Sequence, residues 1–246
     1  MRGWLIALLS VACVSEDEAR REGRRAASAV TNAVAAGLIL TETYGYIDPR
    51  GARHGPSKSC PSVELIGSEA IYVMLLDYEE EGCVAESGWV PWRVGGHYWV
   101  DVDQRAVAWT RLEEASMGGV ALTGTPAGSW SLTDTGWELE VIGPVGWSES
   151  DRMLEIRIVF DGRDPSMTMS GTVETDDGVL EMTGVSLHRT DVTFPCPVPR
   201  SGEFVWSGDL ELELSLKGAR LEGDVGRHTV RSQLCGQGSE FAGAEP

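Results

Sequence analysis

The chain has 246 residues, with 38 acidic and 20 basic side chains and a formal net charge of −18. This acidic balance argues against nucleic acid as a partner, because nucleic-acid binding needs a basic surface that displaces counterions. Hydrophobic residues make up 42% of the chain, which is enough to build a buried core and argues against a disordered acidic protein.

Residues 1–12 predict a signal peptide. Arg2 supplies a positive charge and is followed by the apolar run GWLIALLSVA, which is too short to cross a bilayer. Cys13 follows directly, and the junction Ser10-Val11-Ala12-Cys13 resembles the lipobox of bacterial lipoproteins, where the cysteine is acylated. The resemblance implies a lipid anchor at Cys13 and, with Val14 rather than aspartate next to it, the outer membrane. Secretion without a lipid is the alternative.

The next two segments differ in composition. Residues 13–25 are dense in charges of both signs and predict a solvated tether. Residues 26–43 are rich in alanine and predict a helix packed on a sheet, because alanine favours helix and the apolar side chains recur at helical spacing. Val30, Val34 and Leu38 form one such row.

The remaining cysteines predict two disulfides, since an even number in an exported chain is typical of an oxidising compartment. Three pairings are open, and we predict Cys60 with Cys83 and Cys196 with Cys235, because each pair brackets one block of strands. The cysteine and histidine spacings do not match a zinc site, and we predict no metal and no cofactor.

Residues 57–240 predict an antiparallel β domain. Apolar and polar residues alternate through most of it, and glycine-containing turns separate the runs at intervals too short for parallel crossovers. The apolar run from Ala70 to Tyr78 predicts an interior strand buried on both faces, and the alternation from Glu203 to Leu216 predicts one long strand with a bend at Gly208.

The predicted fold class is therefore all-β. We expect an antiparallel β-sandwich or open barrel of roughly ten to thirteen strands, preceded by the alanine-rich N-terminal helix. A boundary between two subdomains near 143–150 stays open, because the sequence there, GPVGWSES, is rich in turn-forming residues.

Short motifs add a resemblance at the level of architecture. Cys60-Pro61-Ser62-Val63, Leu76-Asp77-Tyr78 and Gly82-Cys83, together with the lipobox cysteine, resemble a broad group of uncharacterised β-rich lipoproteins secreted by Gram-negative bacteria. The resemblance implies a place in the cell envelope and a β-rich architecture, and it implies no activity.

Tryptophans indicate where a ligand would bind. Exposed indole rings on a β scaffold stack on sugars or anchor a protein partner. Trp89 and Trp92 lie in a connection just before a predicted strand that carries Trp99, Asp101 and Asp103. We predict these five residues as the ligand-binding site. The alternative is that the tryptophans pin their own loop to the core.

Paired carboxylates leave a second alternative open. Asp101 and Asp103, Glu138 and Glu140, and Glu211 and Glu213 are each two residues apart, a spacing that suits a calcium site or glycoside hydrolysis but that alternation on a wet strand face also produces.

No nucleophile elbow or phosphate-loop motif is present, so we predict no catalytic residues and no enzyme. The predicted function is that of a lipid-anchored cell-envelope protein acting as a non-catalytic structural or binding module. Its expected partners are the membrane, through the lipid, and a glycan or an envelope protein. A carbohydrate-binding module that uses Trp89, Trp92 and Trp99 is one alternative, and a calcium-dependent adhesin-like domain is another.

Overall fold

The computed structural model describes residues 14–44, 60–68, 71–78, 82–84, 93–103, 106–117, 120–147, 150–161, 163–164, 166–188, 197–225 and 227–234. One helix, α1, spans Glu16–Tyr44. Fifteen strands follow in the described residues. In chain order they are β1 Ser62–Gly67, β2 Ile71–Asp77, β3 Cys83–Val84, β4 Arg93–Asp103, β5 Ala106–Met117, β6 Val120–Gly124, β7 Ala127–Leu132, β8 Gly136–Trp147, β9 Ser150–Asp161, β10 Ser166–Thr175, β11 Gly178–His188, β12 Ser201–Ser207, β13 Glu211–Lys217, β14 Arg220–Val225 and β15 His228–Gln233.

The helix begins earlier than the sequence predicts. Ser15 and Glu18 form a capping box, in which the Glu18 backbone N–H donates to Ser15 Oγ at 3.2 Å and the Ser15 N–H donates to the Glu18 carboxylate at 2.9 Å. The Ser15 N–H and hydroxyl hydrogen bonds also lower the pKa of the Glu18 carboxyl. Residues 16–25 are therefore helical, in place of the predicted tether over 13–25.

Strand pairing follows the order of the chain. The sheet reads β1-β2-β4-β5-β6-β8 and then continues through β9 to β15 without a crossover, while β3 pairs with β4 and β7 pairs with β5 and β8. All these pairs are antiparallel, and most neighbouring strands are joined by connections too short for a parallel crossover. This arrangement confirms the predicted all-β antiparallel sheet preceded by a helix.

The inner face of the sheet surrounds the C-terminal half of α1. Four consecutive helix residues, 33–36, are completely buried, although successive side chains of a helix point about 100° apart. The helix contacts strands from separate parts of the sheet, β5 and β6 as well as β10, β11, β14 and β15. We conclude that the sheet curves around this part of the helix, which is why residues 26–40 are almost all apolar or small rather than apolar along one stripe.

The sheet continues where the sequence left a subdomain boundary open. β8 pairs with β9 from Gly136–Asp161 to Trp147–Ser150, so the region 143–150 joins two neighbouring strands of the same sheet.

The predicted long strand from Glu203 to Leu216 is wrong. It is a hairpin of β12 and β13, because the chain turns at Gly208. A Cβ at Gly208 would collide with a carboxylate oxygen of Glu22 in α1, so only glycine lets the turn lie against the helix.

Candidate functional site

Four neighbouring side chains form an outer row on β4: His97, Trp99, Asp101 and Asp103. They alternate with Tyr98, Val100 and Val102, which are buried in the core. Because side chains of a strand point alternately to its two faces, the four outer residues share one side of the sheet. The structure therefore places three of the five predicted site residues on one exposed strip. Trp89 and Trp92 lie outside the described residues.

Trp99 is half-buried within a polar cluster. The Arg111 guanidinium on the neighbouring strand β5 lies 4.8 Å from the centre of its ring, a cation–π arrangement, and Arg111 also forms an ion pair with Glu113 at 2.8 Å. On the other side, His97 lies 6.0 Å from the indole and contacts Asp77 at 3.2 Å. One face of the Trp99 ring is thus already in contact with a guanidinium of this chain.

Asp101 and Asp103 are exposed and face apolar neighbours. In the pairing of β2 with β4, Val73 lies opposite Asp101 and Ile71 lies opposite Asp103. No basic side chain among the described residues forms an ion pair with either aspartate. Two carboxylates therefore stand beside aliphatic side chains without a partner cation from the described part of the chain.

These residues line a groove of about 520 Å³ where β1, β2, β4, β5 and β7 meet, which we call the outer groove. Its lining is mostly apolar, and its two exposed large hydrophobic members are Ile66 and Ile71, at 54% and 58%. Its outward-facing residues on β1, β2 and β4 are Ile66, Ile71, Val73, Asp101 and Asp103. Large aliphatic side chains at such exposure, gathered in a groove, mark a binding surface more often than scattered single ones do.

The core behind His97 and Trp99 holds β4 in place. The rings of Tyr78 and Tyr98 pack with their centres 5.0 Å apart. Burial, and then the negative charge of Glu42 in α1, raises the pKa of the Tyr98 phenol well above its ordinary value, so that side chain stays neutral. The inward-facing side chains of β4 therefore contribute to core packing, and the polar side chains that could bind a ligand lie on its outer row.

The predicted disulfide between Cys60 and Cys83 is present, with the two Cα atoms 6.0 Å apart. It joins the start of β1 to β3, which pairs with β4, and so connects the two sides of the region that carries the outer groove. Cys13, Cys196 and Cys235 lie outside the described residues, so their predicted lipidation and pairing stay predictions.

The paired carboxylates do not assemble a metal centre. Glu138 and Glu140 both face Arg157 on β9, and the Arg157 hydrogen bond lowers the pKa of Glu138. Within the ranges that the structure describes, no three His, Cys, Asp or Glu side chains gather as metal ligands. In the same ranges, no helix has the length and apolar character needed to cross a membrane.

The sequence reasoning missed the exposure of Ile66 and Ile71. It predicted that the run from Ala70 to Tyr78 is buried on both faces, whereas β2 buries Met74 and Leu76 and turns Ile71 outward. The continuous apolar run was therefore the signal of the groove, because a strand with one wet face ordinarily has polar residues on that face.

A buried charge on the helix was also missed. Glu22 is only 1% exposed. It accepts hydrogen bonds from the Trp206 indole at 2.8 Å and from Arg25 at 2.6 Å, and Arg25 also reaches Asp209 at 3.0 Å. The hydrogen bonds to Glu22 and Asp209 raise the pKa of Arg25. This network fastens α1 to the β12–β13 hairpin, and sequence spacing alone carries no sign of it.

Comparison with known proteins adds no relative. No protein-family model, no curated protein and no solved structure matches the chain.

Proposed function

We propose that this chain is a lipid-anchored protein of the bacterial outer membrane that acts as a non-catalytic structural or binding module and presents the outer groove to its ligand. The groove carries the proposal: it combines exposed isoleucines with two carboxylates that no described basic side chain neutralises. Exposed isoleucines do not help the protein to fold, but they give an amphipathic ligand an apolar surface to bind.

Two features support the anchor and the compartment. The Cys60–Cys83 disulfide is of the kind that exported proteins keep. Val14, next to the lipobox cysteine, is held against β15, where its carbonyl oxygen lies 2.9 Å from His228 Nε2. A lipid on Cys13 would therefore hold the folded body close to the membrane surface.

Mass spectrometry of the mature protein tests the anchor. We expect a chain that begins at Cys13 and carries acyl groups, and we expect the variant Cys13→Ala to leave the membrane fraction. A full-length chain that begins at Met1 and is recovered from the cytosol would contradict the proposal.

Photo-crosslinking in cells that express the full chain tests the groove. A photoreactive residue at position 71 should give covalent adducts, and the same residue at the exposed Thr168 on the outside of β10 serves as the matched control. Equal labelling at both positions, or no labelling at position 71, would contradict a binding role for the groove.

A carbohydrate-binding module is the second candidate, and the position of Trp99 favours it. The half-exposed indole shares one strip with Asp101 and Asp103, and this combination can stack on a sugar and accept hydrogen bonds from its hydroxyls. Titration with soluble cell-wall oligosaccharides, followed by tryptophan fluorescence, should then give a signal that Trp99→Ala abolishes. An unchanged signal in Trp99→Ala would exclude this strip as the sugar site.

A further inference from the structure

We infer that the outer groove binds a polypeptide segment in which a lysine or arginine stands next to apolar side chains. This inference rests on the proposed binding function and names the class of partner. The groove, the charges beside it and one contact within the chain lead to it.

The charges select a cation. Asp101 and Asp103 are two residues apart on one strand, so both carboxylates stand on the same side of β4, and no described basic side chain of this chain pairs with either. The chain as a whole carries a net charge of −18, which attracts a basic partner from a distance and repels an acidic one. A cationic group placed between the two aspartates would neutralise both.

The aliphatic lining of the groove favours a ligand that carries apolar groups next to its cation. Ile66, Ile71 and Val73 are aliphatic and face outward, and a bare cation or a hydroxyl-rich sugar would leave them in water. An uncharged hydrocarbon chain would remove water from the two carboxylates and give them no partner cation, which is unfavourable. In a peptide segment with both kinds of side chain, the apolar side chains cover the aliphatic lining and the basic side chain pairs with the carboxylates.

The same strip already binds a guanidinium within the chain. Arg111 on β5 lies over the ring of Trp99 and pairs with Glu113. Trp99 itself is two residues from Asp101 on β4. An aromatic ring and a carboxylate together hold this guanidinium, so the surface has the chemistry that a second, external cation would use. Because Arg111 covers the Trp99 ring, that ring face is less open to a sugar.

The size of the groove limits the partner to a few side chains. A volume of about 520 Å³ holds a short segment rather than a domain surface. We therefore expect a loop, a terminus or an extended stretch of an envelope protein as the occupant.

Peptide binding to the purified full chain, measured by fluorescence anisotropy, tests the inference. The probe is a labelled six-residue peptide of alternating lysine and leucine, and its two controls replace lysine by glutamate or leucine by serine. We expect the lysine–leucine peptide to bind and each control peptide to have an affinity lower by at least about tenfold. Added salt should weaken the binding, because it screens the charge contribution.

Two double variants locate the site. Asp101→Asn with Asp103→Asn should weaken binding of the lysine–leucine peptide about tenfold. Glu211→Gln with Glu213→Gln removes the same charge at the same spacing from the outside of β13 and should leave the affinity unchanged. Thermal unfolding checks that both pairs of exposed substitutions keep the fold.

Three outcomes would overturn the inference. Equal loss in both double variants would mean attraction by net charge alone. Equal binding of the serine control would mean that the aliphatic lining has no role. Failure of the lysine–leucine peptide, with glycosidase-sensitive adducts at position 71, would make the partner a glycan and leave the proposed binding function standing. The absence of any adducts at position 71 would instead remove the proposed function itself.

Discussion

The strands β1 to β8 and the strands β10 to β15 share the same kind of inner face but have different outer faces. Both groups bury large side chains in the core that they share with the helix, such as Trp109 in the first group and Trp206 in the second. The large hydrophobic side chains that are exposed among the described residues fall in the first group or on the strand β9 beside it. They are Ile66, Ile71, Leu132, Ile142 and Met153.

One line of paired residues across the sheet makes the difference visible. It begins with mostly apolar residues and carries four carboxylates among its six residues after β8, whereas Asp101 is the one charged residue in its first part. Strand by strand, the line runs through Ile66, Val73, Asp101, Ala108, Ala127, Ile142, Glu155, Thr172, Glu181, Val205, Glu213 and Asp224.

The comparison separates folding from binding. The inner faces are alike because every strand must cover the same core, whether or not it binds anything. The outer faces are not under that constraint, so the concentration of exposed large apolar side chains in and beside the first group indicates a function located there.

The largest expected effect tests the shared core. Trp109→Ala and Trp206→Ala should each lower the free energy of unfolding by about 3–5 kcal/mol, because both indoles are buried and neither site can collapse fully. Urea unfolding followed by circular dichroism measures both losses. A loss below about 1 kcal/mol for one of them would mean that the two groups of strands do not share an equally packed core.

The disulfide should stabilise the first group alone. Cys60→Ser with Cys83→Ser opens a link across 23 residues and should cost about 3 kcal/mol, since the unfolded chain regains the entropy of that loop. Hydrogen exchange should rise in β1 and β2 before it rises in β12 to β14. Equal loss of protection throughout the sheet would contradict this local effect.

Two glycines of α1 test how the helix is held by the second group. A Cβ at Gly23 would collide with the stiff, β-branched Val230 on β15, whereas a Cβ at Gly37 would meet the flexible Met169 on β10. Gly23→Ala should therefore lower the free energy of unfolding by about 1–3 kcal/mol. Gly37→Ala should be near neutral, because the gain in helix propensity offsets the shift of Met169. Thermal unfolding measures the stability of both variants. A larger loss in Gly37→Ala than in Gly23→Ala would contradict the close contact between Gly23 and Val230.

An acid titration tests the ion pair at the border between the groups. Arg157 lowers the pKa of Glu138 in the folded state below the ordinary value of 4.5, so the pair stabilises the fold fully above pH 4.5. This contribution is lost as the pH falls through the lowered pKa. Glu138→Gln should cost no more than about 1 kcal/mol at pH 7 and nothing at low pH. Arg157→Gln should show the same dependence in urea unfolding curves, and a loss that persists at low pH would point to packing instead.

The smallest effect on stability concerns the outer groove itself. Ile71→Thr and Thr168→Ile exchange the character of two outer positions, one in each group, and each should change the free energy of unfolding by less than about 0.5 kcal/mol. Only Ile71→Thr should weaken binding of the lysine–leucine peptide. A large loss of stability in Ile71→Thr would mean that this side chain serves folding.

Local patterns predicted much of the fold. Period-two alternation identified most of the strands, the short connections predicted antiparallel pairing, and the position of Cys60 and Cys83 on either side of one block of strands predicted their bridge. The capping box at Ser15 and Glu18 could have placed the helix start correctly. The charged residues that follow have no apolar stripe and therefore favour a tether, but the structure buries Ala19 and Glu22 among them.

The candidate site was only half predictable. Alternation put Trp99, Asp101 and Asp103 on one face of one strand, which the structure has. It could not identify Ile66 and Ile71 as their neighbours, because this depends on which strands pair and in which register. The same limit hid the contact between Glu22 and Trp206, which are separated by 184 residues in the chain.

The sequence by itself determined which side of the alternating strands faces inward and that an alanine-rich helix accompanies the sheet, since these depend on residues a few positions apart. Only the tertiary structure decided that the sheet curves around the helix on all sides and that two aspartates lie beside exposed isoleucines. Such neighbours are brought together by strand pairing and core packing, and these contacts join residues whose separation along the chain leaves no local pattern.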